Sequence, residues 1–153
     1  MVRMTDLPPA TQTGMANLEC PSFETKPFVS GPPLAKRRIA VVTSAGLVRR
    51  GERPFVSGEA DYRVIPGDLP ADQILMSHAS VNFDRTGFLR DLNVVFPRDR
   101  LRELQDAGTI GSVAATHYSF MGATDPRMME ANVRAVAGRL KAEQVDGVLL
   151  TPV

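Results

Sequence analysis

Residues 145–153 read Val-Asp-Gly-Val-Leu-Leu-Thr-Pro-Val, and this stretch decides the fold class. A run of branched apolar residues that follows a helix-like segment is typical of a buried strand in a parallel sheet. In an open α/β sheet, ligands bind beyond the carboxyl ends of the strands, so the turn after such a strand usually carries the site. The chain ends at Val153, where that turn is expected to begin. Two explanations stay open: the strand completes a small domain, or a continuation holds the most reactive residue.

The elements upstream alternate in the order of a parallel α/β sheet. Strands are predicted over residues 38–43, 112–117 and 147–151. A helix is predicted over 98–107, and Asp125-Pro126 has the cap and first-position residues of a longer helix. The order strand, helix, strand, helix, strand predicts a three-layer open parallel sheet of the Rossmann-like or flavodoxin-like type, incomplete at its C-terminus.

The chain is predicted to divide into an arm and a domain. Residues 1–36 show little periodicity and are rich in proline, which predicts an extended Pro-rich arm. Residues 37–153 are predicted to form one α/β domain, with a short edge strand over 61–65 that Pro66-Gly67 closes. The single cysteine, Cys20, lies in the arm without a nearby histidine or basic cluster, so an incidental thiol is favoured over a nucleophile.

The composition narrows the function class. With 43% hydrophobic and 23% charged residues the chain has a globular profile, and a net charge of +1 provides no field for nucleic acid or an anionic membrane. Its apolar stretches are far shorter than the roughly 18 residues needed to span a bilayer, and no leader-like segment opens it, so we expect a cytoplasmic protein. The turn over residues 43–47 lacks the spacing of a dinucleotide fingerprint or a P-loop, so neither NAD nor ATP is predicted.

Both histidines lie in polar segments that are expected at strand ends. His78 stands within residues 77–80, and His117 is followed by Tyr118 and Ser119. Histidine holds or moves a proton near neutral pH, so two at the carboxyl edge of a sheet could manage proton traffic or bind a carboxylate. Each could equally be a structural histidine with satisfied hydrogen bonds. Two histidines without H-x-x-H or C-x-x-C spacing predict no metal site.

A neighbouring polar segment contains further candidates. Arg85 suits bidentate recognition of a carboxylate, and Asp84 suits an amine. The alternative is an ion pair that stabilises the loop. Ser80 and Asn82 could line the same site or form turns.

Long motifs follow one another along the chain. They are Ser77-His78-Ala79-Ser80 with Asn82-Phe83-Asp84-Arg85, Asn93-Val94-Val95-Phe96-Pro97 with Asp99-Arg100-Leu101, His117-Tyr118-Ser119-Phe120-Met121-Gly122-Ala123-Thr124, and the terminal Val-Leu-Leu-Thr-Pro-Val. In sequence and order they resemble the selenoprotein B family of glycine, sarcosine, betaine and D-proline reductases. The resemblance runs from about residue 28 to Val153.

This resemblance implies a subunit of an amino-acid reductase. In the family, the segment similar to residues 150–153 is followed directly by selenocysteine, or by cysteine in some members, with another cysteine a few residues on. The chain therefore resembles a member truncated just before its catalytic residue, and we expect this fragment to be inactive alone. A nucleophile that follows a strand and precedes a helix would lie at the helix N-terminus, which favours its anionic form.

The resemblance also implies the reaction and its partners. A selenolate would attack a carbon activated through a Schiff base on the pyruvoyl group of a partner subunit, and the carbon–nitrogen bond would break. A nearby cysteine would resolve the oxidised selenium, and a thiol or thioredoxin-type donor would supply the electrons. D-proline or a related cyclic or N-substituted amino acid is the preferred substrate, because the nucleophile would come early, near position 154, as in the short D-proline-type subunit. No cofactor is expected within this chain.

The residues of the predicted site are expected to converge on one face beside Thr151 and Val153. The predicted catalytic residues are His78, Asp84 and His117, and the predicted substrate-binding residues are Ser77, Ser80, Asn82, Arg85, Tyr118, Ser119 and Thr151.

Two other function classes stay open. A cofactor-independent amino-acid racemase or related α/β enzyme would need a cysteine pair, which the chain lacks. A non-catalytic module for small-molecule binding or assembly would bind an amino acid without turnover.

Overall fold

The computed structural model describes residues 3–17, 22, 24, 26–80 and 84–153. The predictions for Cys20 and Asn82 therefore lie outside the described residues. The described strands are β1 (Arg38–Thr43), β2 (Leu47–Arg49), β3 (Tyr62–Pro66), β4 (Ile74–Met76), β5 (Ser112–Val113), β6 (Thr116–Phe120) and β7 (Gly147–Thr151). The described α-helices are α1 (Pro9–Ala16), α2 (Thr86–Arg90), α3 (Arg98–Asp106) and α4 (Pro126–Ala142).

β1 is the central strand of the main sheet. β7 pairs with it in parallel along one edge, and β5 and β6 follow one another in parallel along the other edge. β3 pairs with β6 in the antiparallel direction, so the sheet is mixed. The α/β class is confirmed. The prediction of a wholly parallel sheet is wrong, because β3 is antiparallel. An alternating pattern indicates an edge strand but does not determine its direction. The Rossmann-like or flavodoxin-like arrangement stays a prediction.

The strand predicted over 112–117 is interrupted. Ile39 faces Val113 and Val42 faces Tyr118, so three steps along β1 match five steps along its partner. At the interruption, the N–H groups of residues 115 and 116 donate to Glu143 Oε1 at 2.5 and 3.1 Å. The backbone leaves the sheet ladder to bond this side chain, which splits the predicted strand into β5 and β6.

Buried apolar clusters lie on the two faces of the sheet. One cluster joins α4 to β1 and β6 and comprises Ala40, Ala114, Tyr118, Phe120, Val136 and Leu140. The other joins α3 and the segment before it to the opposite face and comprises Val41, Ala45, Leu47, Ile65, Ile74, Val95, Phe96, Leu101 and Ile110. Strand side chains alternate between the two clusters, as the pleat requires.

The two predicted helices are confirmed. α3 begins at Arg98 and ends one residue before the predicted boundary. α4 begins at Pro126, and the Asp125 carboxylate accepts the N–H of Arg127 at 2.9 Å, as expected of an N-cap. None of the described helices is long and apolar enough to cross a lipid bilayer.

Two expectations need correction. The segment 1–36 is not wholly extended, because Pro9–Ala16 is helical with a proline at its first turn; none of the residues of α1 is buried. β7 is not a buried strand: Val148, Leu149 and Leu150 are 42%, 38% and 67% exposed. Among the described residues β7 pairs only with β1, so its second edge has no neighbouring strand.

Candidate functional site

The carboxyl ends of β1, β6 and β7 lie side by side. Thr43, the last residue of β1, faces Ser119 on one side and Thr151 on the other. Because parallel strands end at the same edge of a sheet, the segments that follow them meet there. We call this place the carboxyl edge, and define it as residues 44–46, 121–122 and 152–153.

The segment with the first histidine lies against the carboxyl edge. The N–H of Ser77 donates to the carbonyl of Gly46 at 2.8 Å, and the N–H of Ala79 contacts Met121 Sδ at 3.4 Å. Gly46 has a φ of +65°, and a Cβ there would meet His78 Cα at 3.0 Å. The glycine therefore permits both the turn and the close approach of His78.

His78 is almost completely buried at this edge. Its Nδ1 accepts the N–H of Ser80 at 3.2 Å. Burial, together with the positive charge of Arg85, holds the imidazole pKa below its usual value, so the ring is neutral at pH 7. With Nδ1 acting as an acceptor, the neutral ring carries its proton on Nε2. Nε2 is itself buried, so a ligand would reach it only if the surrounding segment moved.

Asp84 and Arg85 make contacts that order their own loop. Arg85 Nη2 donates to the carbonyls of His78 and Ser80 at 2.6 and 3.0 Å. Asp84 Oδ1 accepts the N–H of Thr86 at 2.9 Å, and hydrogen bonds from the Thr86 side chain and backbone lower the pKa of the carboxyl. These hydrogen bonds to the main chain order the loop, and the ion-pair alternative and the roles in catalysis or substrate binding stay predictions.

His117 lies inside the sheet and has no exposed surface. Its Nδ1 accepts the N–H of Val41 at 3.1 Å, so the imidazole provides an acceptor beside the interruption between β5 and β6. Burial, with Arg98 and Arg102 nearby, lowers its pKa to about 4, and the ring is neutral. The Phe96 ring packs against it at 5.3 Å, and Nε2 has no hydrogen-bond partner within the described part of the chain. Burial and the contact with Val41 are those of a structural histidine, but its hydrogen bonds are not all satisfied, because Nε2 is buried without a partner among the described residues.

The two residues after His117 lie on opposite faces. Ser119 is fully buried on the face of His117, and its Oγ accepts the N–H of Leu47 at 2.7 Å. Tyr118 packs on the α4 face, with its ring 5.9 Å from that of Tyr62. The expected convergence on one face is therefore wrong for Tyr118, because consecutive strand residues alternate.

Two other residues of the predicted site form hydrogen bonds with main-chain groups of distant segments. Ser77 Oγ accepts the N–H of Phe55 at 2.8 Å, and Thr151 Oγ1 donates to the carbonyl of Val95 at 3.0 Å. Segment 77–80, Ser119 and Thr151 thus lie at or next to the carboxyl edge.

Two further residues lie at this edge and were not predicted from the sequence. Ser44 Oγ accepts the N–H of Val153 at 2.8 Å, and Gly122 donates its N–H to the Ser44 carbonyl at 2.9 Å. The small polar turn over residues 43–47 could have indicated them, but it was compared only with nucleotide-binding motifs.

A cleft opens beside Gly122. It has a volume of about 780 Å³ and is lined by residues 122–127 together with Gly14 and Asn17. This volume is sufficient for a small amino acid. Across the residues that the structure describes, no three His, Cys, Asp or Glu side chains are grouped so that they could hold a metal ion.

Comparison with known proteins identifies the family. Residues 12–153 match the family described as glycine/sarcosine/betaine reductase selenoprotein B. The chain is 34% identical over 116 residues to the D-proline reductase subunit gamma of Acetoanaerobium sticklandii, which covers 74% of this chain and 47% of that protein. It is 34% identical over 140 residues to the glycine reductase complex component B subunit gamma of Symbiobacterium thermophilum, covering 86% and 32%. The corresponding subunit of Carboxydothermus hydrogenoformans is 31% identical over 142 residues, covering 88% and 32%.

The matches span about half of the first relative's length and about a third of the other two. No solved structure matches the chain. The resemblance seen in the motifs is confirmed, since the family match covers nearly the whole sequence. The chain belongs to the glycine/sarcosine/betaine reductase selenoprotein B family.

Proposed function

We propose that the chain is part of a reductase subunit that cleaves a carbon–nitrogen bond of a small amino acid, with a selenol or thiol nucleophile directly after Val153. Family membership supports the reductase class. Similar proteins named as subunits of D-proline reductase and of the glycine reductase complex support a multi-subunit enzyme. On this proposal, residues 1–153 alone do not reduce the substrate.

One structural observation supports the proposal in addition to the family match. The main chain of Val153 is hydrogen-bonded to Ser44 at the carboxyl edge, against which the His78 segment also lies. The residue that follows Val153 would therefore start where α/β sheets bind their ligands.

The proposed reaction is a two-electron reduction. The selenolate donates an electron pair to the carbon that carries the nitrogen; a selenium–carbon bond forms, and the nitrogen leaves with the electrons of the broken bond. A cysteine thiol in the continuation then attacks selenium, giving a selenium–sulfur bond, while the released carbon takes up a proton. A thiol or thioredoxin-type donor reduces that bond and restores the nucleophile. A pyruvoyl group on a partner subunit would activate the substrate nitrogen.

The described residues would bind and orient the substrate. His78 lies at the carboxyl edge as a neutral ring, and a carboxylate oxygen of the substrate would reach its buried Nε2 only after the surrounding segment moves. Arg85 orders the loop around His78. The cleft beside Gly122 provides space for the substrate. These roles, the partners and a cytoplasmic location are predictions.

The preferred substrate is D-proline or a related cyclic or N-substituted amino acid. The preference depends on the early position of the nucleophile, near position 154, as the family resemblance implies. The identities do not separate the substrate classes, because the D-proline and one glycine reductase relative are equally similar at 34%. The choice therefore requires an assay with several substrates.

The test uses the full-length subunit, with selenocysteine or cysteine after Val153, combined with its partner subunit and a dithiol. Turnover is measured with D-proline, glycine, sarcosine and betaine, and the control carries serine at that position. We expect reductive cleavage of one substrate, and none by the serine control. Absence of turnover, together with a thiol that iodoacetamide does not alkylate at neutral pH, would contradict the proposal. Binding of an amino acid without turnover would favour the binding module.

A further inference from the structure

The main chain beyond β7 is held by one hydroxyl group. The ladder between β1 and β7 ends at Thr151, and Pro152 has no N–H to extend it. The next donor is the N–H of Val153, which Ser44 Oγ accepts at 2.8 Å. The same hydroxyl donates to the Val153 carbonyl at 3.4 Å. Ser44 Oγ therefore contacts both polar main-chain atoms of Val153.

Ser44 is itself fixed by the neighbouring strand ends. Its N–H donates to the carbonyl of Thr151 at 3.2 Å, and its carbonyl accepts the N–H of Gly122 at 2.9 Å. The Thr151 carbonyl also accepts the hydroxyl of Thr43 at 3.3 Å. These bonds connect the ends of β1, β6 and β7, so the Ser44 hydroxyl is presented from a well-ordered turn.

Gly122 lets Ser44 and Val153 approach each other. A Cβ at Gly122 would lie 2.8 Å from the carbonyl oxygens of both residues and 3.1 Å from Ser44 Oγ. Carbon and oxygen atoms that are not bonded do not pack this closely, and two of the three atoms belong to main chain. Alanine at this position would therefore displace Ser44, Val153 or both.

We infer that Ser44 and Gly122 are positioning residues for the nucleophile, an inference that rests on the proposed function. A reacting atom must approach its carbon to about 3–3.5 Å in the correct direction, and a misplacement of about 1 Å can lower the rate about 100-fold. Ser44 forms hydrogen bonds with both the N–H and the carbonyl of Val153, and Gly122 leaves room for this contact. The residue after Val153 therefore continues from a main chain that is held in place.

The experiment uses the full-length subunit with cysteine after Val153, assembled with its partner subunit. The test variants are Ser44→Ala, Ser44→Thr and Gly122→Ala. Ser112→Ala is the matched serine control, because this hydroxyl accepts a hydrogen bond from the Arg38 side chain at 3.3 Å and lies at the opposite end of β1. Gly138→Ala is the matched glycine control, because a Cβ there meets nothing within 4 Å.

Four quantities are measured for each variant: kcat, KM, the pH profile of alkylation by iodoacetamide, and the midpoint of thermal unfolding. We expect kcat to fall on the order of 10-fold for Ser44→Ala and on the order of 100-fold for Gly122→Ala. The loss of kcat should exceed the loss that any fall in the unfolding midpoint explains, KM should stay close to that of the control for Ser44→Ala, and the pH midpoint of alkylation should shift in both variants. Ser44→Thr retains the hydroxyl and should recover most of the activity.

The outcomes separate this inference from the proposed function. An active parent protein whose Ser44→Ala and Gly122→Ala variants match the controls would overturn the inference alone. Losses that only follow the unfolded fraction, with an unchanged alkylation profile, would also overturn it. A parent protein without turnover and without a reactive thiol would refute the proposed function, and this inference with it.

Discussion

The buried imidazole of His117 should make stability depend on pH. Its pKa is about 4 in the folded chain, against about 6.5 for an exposed imidazole. Between these pH values the unfolded chain binds a proton that the folded chain excludes. The contribution of His117 to the free energy of unfolding is therefore fully present well above pH 6.5 and is lost as the pH falls towards 4. The full difference corresponds to roughly 3 kcal/mol, of which roughly 2 kcal/mol is lost by pH 5.

The assay is urea unfolding of the full-length subunit, followed by circular dichroism between pH 7.5 and 4.5. The variant His117→Asn keeps an acceptor near the position of Nδ1 but does not titrate, so it isolates His117 from the carboxylates and from His78. We expect the parent protein to lose about 2 kcal/mol more than His117→Asn between pH 7.5 and 5. If the two proteins lose stability in parallel, the assignment of a buried, neutral His117 is refuted.

A second variant tests the contact itself. His117→Phe fills the space but removes the acceptor of the Val41 N–H, which is 3.1 Å from Nδ1 in the folded chain. A buried donor without an acceptor costs about 1–3 kcal/mol, so at pH 7.5 this variant should be less stable than His117→Asn by that amount. Equal stability of the two variants would show that the Val41 N–H does not need the imidazole.

Two further predictions concern charges and a helix cap. Glu59→Gln should lower the free energy of unfolding by about 3 kcal/mol, because it leaves the buried guanidinium of Arg63 without the carboxylate 2.7 Å away; Glu130→Gln, in an exposed pair with Arg134, should cost less than about 0.5 kcal/mol. Equal losses in urea unfolding would contradict this difference. Asp125→Ala should cost about 1 kcal/mol by removing the cap of α4, and Asp125→Ser should retain most of that stability; a serine variant as unstable as the alanine variant would rule out capping as the cause.

Elements defined by local patterns could be predicted from the sequence. α4 has its cap and first-turn proline side by side in residues 125–126, and β1 and β7 are runs of branched apolar residues. Because parallel strands end at the same edge of a sheet, the sequence also predicted that the segments after β1, β6 and β7 meet, and they do. Strand alternation was available as well, and its application would have separated Tyr118 from His117 and Ser119.

Features that depend on distant residues could not be predicted. The interruption between β5 and β6 depends on the Glu143 side chain, which lies 27 and 28 residues away along the chain. The interruption also decides the environment of His117, so a histidine expected at the carboxyl end of a strand is buried near the start of β6. The bond between Ser44 and Val153 joins residues 109 positions apart. A strand-end rule identifies where these residues meet, but not which hydroxyl group bonds which amide.

The most direct test of the central claim is the nucleotide sequence that follows the Val153 codon. The account predicts an in-frame UGA or a cysteine codon, then an open reading frame that encodes a nearby cysteine and a further strand–helix stretch. A different stop codon without a downstream frame, or a frame that continues with a residue lacking a selenol or thiol, would contradict a nucleophile directly after Val153.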